Sequence, residues 1–345
     1  MLSEDIINEI ANMDMSEFHK VQNSINEIIR LVEEYEEKVS LINTLVPAYR
    51  NIKEYGVTDS IYDTYKDVLW EKAQFDLAPF VNCSNEQLIY GIEGLGSVIR
   101  KIYEFLRNIV WKLKDFFTSS SCFAAWFNPC IKLDNRVKKI LELIRANSSS
   151  FDANKFSNSV INTLSYKDFD TRQGYINTLA AKLYICANIE KIDRAYIKST
   201  ILNTPEITKL GITAADNGSK ASVTPANLTR MDKIFQLGWT PTNLLEKSGP
   251  VTLLVKRGID LKGRMTAIER ALSMSERNIS DVLTGHAEPQ VVRDEETIKA
   301  LNLYVSLLDI MFRMILGIGN HWCHVGVTYL RSCSEYKPSL FSNIK

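Results

Sequence analysis

Histidine is scarce in this chain, with four in 345 residues, and only His321 and His324 stand near each other. So thin a supply leaves little material for general-base catalysis or an imidazole metal site. Phosphate-binding signatures are missing too: neither GxxxxGK[ST] nor GxGxxG occurs. The six cysteines (Cys83, Cys122, Cys130, Cys186, Cys323 and Cys333) show no repeated close spacing, which favours free thiols in a reducing compartment. Met1 is followed by Leu2, Ser3, Glu4 and Asp5, without the basic and apolar regions of a secretory signal. Nor is there an uninterrupted run of about 20 apolar residues, the length of a membrane-spanning helix. The nearest approach, 310–318, contains Arg313, and a transmembrane protein is not expected.

What is present is an ordinary globular composition with unusual charge placement. Hydrophobic content of 45% and charged content of 24% suit a folded chain, long enough for a sizeable core and two or three domains. Formal net charge is zero, yet residues 1–93 hold 7 Lys/Arg and 18 Asp/Glu, a net of −11. Residues 94–345 hold 34 Lys/Arg and 23 Asp/Glu, a net of +11. Such a split implies different electrostatic partners for the two parts, nucleic acid being a candidate for the basic one. The plainer reading is a solvated charged face on each.

Helical periodicity dominates the chain. Val21, Ile25, Ile28, Val32, Tyr35, Val39, Ile42 and Val46 are spaced alternately by four and three, a heptad seam of about three and a half repeats. Glu33, Glu34, Glu36 and Glu37 make its outer side negative. The seam suits self-association, but an amphipathic helix inside a bundle has the same spacing and is the slightly favoured reading. Pro47 is expected near the end of this helix, and Thr58 is expected to cap a second one running to about Phe75. Pro79 and the polar run 82–85 read as a linker.

The conspicuous stretch is Gly91–Phe117. Leu95, Ile99, Ile102, Leu106, Ile109 and Leu113 recur at helical spacing, while Arg100, Lys101, Arg107, Lys112 and Lys114 fall mostly off that stripe. Gly91, Gly94 and Gly96 are poor helix formers, so regular helix is expected from Ser97, with a flexible entry before it. Beyond a break at 118–121 come an aromatic segment, 122–127, and a helix over Leu133–Arg145. Further helices are expected over Thr171–Ile201, Arg264–Leu283 and Glu295–Ile318, the last resuming at Val325–Leu330. A long exposed loop with a small hairpin is expected over 203–230, and Val251–Val255 is the best strand candidate. The fold class is mainly α: a coiled-coil-like helical N-terminal segment, then a larger helical domain with at most a small β element. Three regions result: an acidic helical region (1–90), amphipathic central helices (91–146) and a basic, mainly helical region (147–345).

Chemistry-bearing clusters are few. His321, Cys323 and His324, with Cys333 further on, form one His/Cys group, but its spacing does not match paired zinc ligands; helix packing is the favoured reading. Glu269, Glu276 and the run 294–296 read as surface acids. No catalytic, cofactor or metal residue is assigned, and an enzyme is not expected. A basic amphipathic helix with Phe105, Trp111, Phe116 and Phe117 suits a membrane interface or, more simply, a core contact.

Glu93-Gly94-Leu95-Gly96, Val98-Ile99-Arg100-Lys101-Ile102, Ile109-Val110-Trp111-Lys112-Leu113-Lys114 and Asp115-Phe116-Phe117 follow the form EG…I…IW..I..FF. The turn at Tyr55–Thr58 precedes them and a long apolar segment, 301–330, follows. In this motif and order of segments the chain resembles the internal head and virion structural proteins of large tailed bacteriophages. The resemblance implies a protein made in the host cytoplasm and packaged inside the capsid, with other head proteins and non-specifically bound DNA as partners. It also implies processing by a prohead protease, since Gly91-Ile92-Glu93 before Gly94 resembles a small-x-Glu site, at the very place where the charge changes sign. Residues 1–93 would then be an acidic propeptide, and the remainder would stay with the DNA or be ejected into the host. Two alternatives stand beside this: a membrane-active protein (ejection, pore or toxin-like) using the 97–117 helix, and an enzyme with an unrecognised site. Oligomerisation through the Val21–Val46 heptads is the remaining partner expectation.

Overall fold

From Leu301 to Leu308 every residue is buried, and a helix buried on all sides must be surrounded by others. In the computed structural model, which describes residues 16–83, 85–118, 126–150, 166–186, 193–215, 220–223, 241–292 and 295–333, that is the case. The helices are α1 (Ser16–Tyr55), α2 (Asp59–Ala73), α3 (Asn85–Thr118), α4 (Asn128–Asn147), α5 (Tyr166–Cys186), α6 (Arg194–Ile197), α7 (Pro205–Lys209), α8 (Pro241–Asp260), α9 (Thr266–Leu283) and α10 (Glu295–Ser332). The sheet is one antiparallel hairpin, β1 (Ile212–Ala215) and β2 (Lys220–Val223), with Ile212 opposite Val223. The chain is mainly α, with a small β element.

Helix α10 is the hub, packed against α1, α4, α5, α6, α8 and β2. Its approach to α4 is set by missing side chains. A Cβ on Gly319 would lie 2.4 Å from Leu133, and one on Gly326 would lie 2.5 Å from Ile140. Both contacts advance by seven residues in the same direction, so α4 and α10 run parallel with interdigitated surfaces. Helix α8 runs antiparallel to α10 and packs on α4 as well: Gly258 faces Phe312 and Ile315 of α10 and Cys130 of α4, while the Trp322 indole donates to the Leu244 carbonyl at 3.1 Å. Trp126, at the start of α4, stacks on Phe312 with ring centres 5.8 Å apart and meets Phe116 of α3 edge-on, joining the central helices.

A second layer holds α3 between α1 and α9. Tyr49 sits over Gly96 and Lys38 over the Phe105 ring, so α1 and α3 are antiparallel. The heptad residues of α1 from Ile25 to Val46 are buried within this single chain. Over these residues the seam is a contact within the bundle.

Several expectations are corrected. Pro47 does not end the first helix, which continues to Tyr55. Proline inside a helix costs about 3 kcal/mol, and the buried residues Leu45, Val46, Ala48 and Ile52 around it offset that cost. Thr58 does cap α2, accepting from the Ile61 amide at 3.3 Å. The glycines at 91, 94 and 96 lie inside regular α3 rather than before it; the Phe80 ring occupies the space a Gly91 side chain would need. Val251–Val255 is helical, because Leu244, Val251, Leu254, Val255 and Leu261 share one buried face and that packing overrides the β-branched preference. The hairpin within 203–230 is present, but Ile207, Leu210, Ile212 and Ala221 are buried, so this part is no exposed loop. Residues 119–125 and 224–240 lie outside the described residues. Trp126 and Phe127 lead directly into α4, which begins at Asn128, five residues before the expected Leu133. Glycines 317 and 319 do not interrupt α10.

Candidate functional site

The five basic residues picked from sequence all belong to α3, whose apolar stripe (Leu95, Ile99, Leu106, Val110 and Leu113 among others) is buried. Burial of that stripe fixes the rotation of the helix and turns the opposite face to solvent. Arg100, Lys101, Arg107 and Lys112 are exposed. Lys114 is half-buried and reaches Glu276 of α9 at 2.7 Å, so it serves as a cross-link between helices. Arg100 pairs with Glu104 one turn on, at 3.5 Å. Lys101, Arg107 and Lys112 have no ion-pair partner among the described residues. The structure thus divides the set into two engaged cations and three available ones.

Aromatic rings are interleaved with these charges. Trp111 is 57% exposed and Phe105 38%, one of the few places where large rings stand outward. An exposed indole among unpaired cations provides a stacking surface and a positive field together. Phe116 and Phe117, grouped with them in the sequence, are buried against each other and Trp126. Exposure of Trp111 was not legible in the sequence, although its place opposite the buried Leu95–Leu106–Leu113 line is a usable signal.

Glu93 and Gly94 are both exposed, in the third turn of α3. Glu93 borders two open hollows of about 430 and 460 Å³, with Tyr49 shared by both. The bond between them is helical, so a protease needs it unwound first. The proposed 90/91 boundary likewise falls inside α3.

The His/Cys group does not assemble. Cys323 is buried, and burial pushes its thiol up to about 12. His324 is exposed on another side of α10, and Cys333 donates toward the Asn147 and Tyr329 carbonyls. Among the described residues no three His, Cys, Asp or Glu side chains gather as a metal site would require. Glu276 is engaged by Lys114, and Glu269 lies on α9 without a hollow of its own among those described.

Two features of the fold bear on membranes. Glu296–Ser332 is long and apolar enough to cross a bilayer by length and composition, contrary to the reading of 310–318 as too short. Yet 83% of its most apolar window is buried inside the bundle, which is where a core helix of such composition belongs.

Fold and surface together define a mainly helical bundle with a packed apolar core and a cationic, aromatic outer strip on α3. Comparison with family models, with curated proteins and with solved structures gives no match.

Proposed function

We propose that this chain is a structural protein packaged inside the head of a tailed bacteriophage, with no catalysis of its own, associating with DNA through the outer strip of α3. The observation that carries the DNA contact is the trio Lys101, Arg107 and Lys112, without ion-pair partners among the described residues and flanked by exposed Trp111. Phosphate neutralisation by such residues is sequence-independent and strengthens as salt falls. The phage setting rests on the α3 motif and the −11/+11 charge step at residue 93. Mass spectrometry of purified particles tests it: peptides of this chain inside nuclease-treated heads support the reading, and their absence overturns it. Where the first tryptic or semi-tryptic peptide starts also reports on cleavage after Glu93.

A second reading, membrane activity, draws on the apolar length of α10 together with the α3 strip. Flotation with anionic liposomes separates the two. Liposome binding without DNA retention favours the membrane reading, and the converse favours the head protein.

A further inference from the structure

We propose that a cut between Glu93 and Gly94 produces a nicked two-fragment complex, in which residues 1–93 stay seated in the fold instead of leaving it. The proposal rests on the processing reading for its biological setting; its content comes from the packing.

The cut point is the weakest place in α3. Three glycines fall within six residues, at 91, 94 and 96, each less favourable in a helix than alanine. Glu93 and Gly94 face solvent, and the hollows on either side leave room for the turn to open. A Cβ on Gly94 would meet nothing nearer than Phe75 at 3.7 Å. Unwinding there leaves the rest of α3 anchored by Leu95, Ile99, Leu106 and Leu113, all essentially inaccessible to water.

What lies before the cut is held by what lies after it. Helix α1 packs its buried face, from Ile25 to Ile52, against α3 and α10. Three polar ties reinforce it at the far end of α9. Arg50 donates to the Pro289 carbonyl, Asn43 accepts from the Val292 amide at 2.8 Å, and Lys53 pairs with Glu288 at 3.4 Å. All three partners follow residue 93, so no chain connection through Glu93–Gly94 is needed to keep them together. Departure of α1 would expose the apolar sides of α3 and α10 to water at once, the dominant unfavourable term in such a separation.

The test uses the full chain, nicked briefly under native conditions with a glutamate-specific protease and then passed over a sizing column at low micromolar concentration. Denaturing electrophoresis and intact mass should show pieces of 1–93 and 94–345, co-eluting where the uncut protein elutes and separating only in denaturant. Elution of 1–93 on its own overturns the proposal. A second route keeps it testable if other glutamates are cut faster: residues 1–93, tagged, are co-expressed with 94–345. Co-purification in equal amounts supports the complex, and recovery of either piece alone overturns it. Particle mass spectrometry distinguishes failure of the two ideas. Only uncut chain in mature heads ends the processing reading, while the nicked-complex test stands on its own result. Heads containing 94–345 without 1–93 support processing and overturn retention.

Discussion

The Tyr103 hydroxyl is bound twice to one residue: it donates to the Gln290 carbonyl and accepts from the Gln290 amide at 3.0 Å. A single side chain of α3 thereby satisfies both backbone polar groups of an irregular segment that joins α9 to α10. Arg50 and Asn43 of α1 serve the neighbouring Pro289 and Val292 in the same way, so the connection is held by side chains in place of a strand partner. Burial raises the phenol pKa of Tyr103, more than the Gln290 bond and Arg50 lower it.

Replacing this tyrosine, Tyr103→Phe, removes both bonds while keeping the ring. A loss of about 0.5–1.5 kcal/mol is expected, the net worth of hydrogen bonds whose partner, Gln290, is exposed and can turn to water. Urea unfolding should show the midpoint fall with an unchanged slope. No change in the midpoint would mean that water replaces the hydroxyl.

The close approach of α4 and α10 predicts a contrast among glycines. Gly319→Ala forces Leu133 to move and Gly326→Ala forces Ile140 to move, each costing about 1–3 kcal/mol by overpacking. Gly174→Ala, in α5, meets nothing within 4 Å and should stabilise by about 0.5–1 kcal/mol through helix propensity and chain entropy. Thermal melts of the three variants decide it; equal shifts would contradict the packing.

These glycines also mark the limit of what the sequence conveys. Burial of Ile28, Val32, Tyr35, Val39 and Ile42 follows from spacing alone, since a period of three and four has one solution on a helix. The helical state of 91–96 does not, because the Phe80 ring and Tyr49 that fill the missing side-chain space come from other segments. Val251–Val255 reads as a strand for a related reason: five residues of β-branched and leucine character carry no period, and the wider set 244–261 that does is interrupted by Gly249 and Pro250. At the candidate site, the cations were visible in the sequence, but their division was not. Lys114 finds Glu276 across 162 residues, a pairing fixed only by how α3 and α9 lie together.

Thiol chemistry should follow burial. Burial pushes Cys130 and Cys323 up to about 12, and Cys186 to about 11. At neutral pH this cuts the reactive thiolate by about 10²–10³ relative to an ordinary cysteine. A disulfide reagent should therefore modify the partly exposed Cys83 quickly and these three only as the protein unfolds. Because their folded values are raised, the native state keeps protons that the unfolded state loses. Stability should accordingly fall as pH rises from the ordinary thiol value of about 9 toward 12.

Asp309 gives a second pH signature at the acid end. Burial raises its carboxyl pKa in spite of Arg313, whose guanidinium lies 2.6 Å away. The folded state binds the proton more tightly, so this group favours folding most below the ordinary carboxylate value, and that contribution is lost as pH rises through the raised one. The stability of the wild type relative to Asp309→Asn should drop across that window in urea titrations. A flat difference would show that Arg313 fully offsets the burial.

For DNA association, reversing Lys101, Arg107 and Lys112 together to glutamate should lower the slope of log affinity against log salt by about 2–3. Trp111→Ala should weaken binding to single strands by about 1–3 kcal/mol with little effect on the slope. Filter binding across a salt series reads both. Reversal of Arg100 and Lys114 instead, already engaged by Glu104 and Glu276, should change binding less.

The ties from Arg50 to Pro289 and from Asn43 to Val292 span 239 and 249 residues of chain. Translation at ~5–20 residues per second leaves α1 waiting on the order of 10–50 s for the segment and hub helix that cover it. Helix α3 can meet α1 sooner, but the part of the apolar side of α1 that packs on α10 stays uncovered throughout that interval. Completion of the core should thus come only near the end of synthesis, and yield in the cell should depend on holding chaperones as well as on final stability.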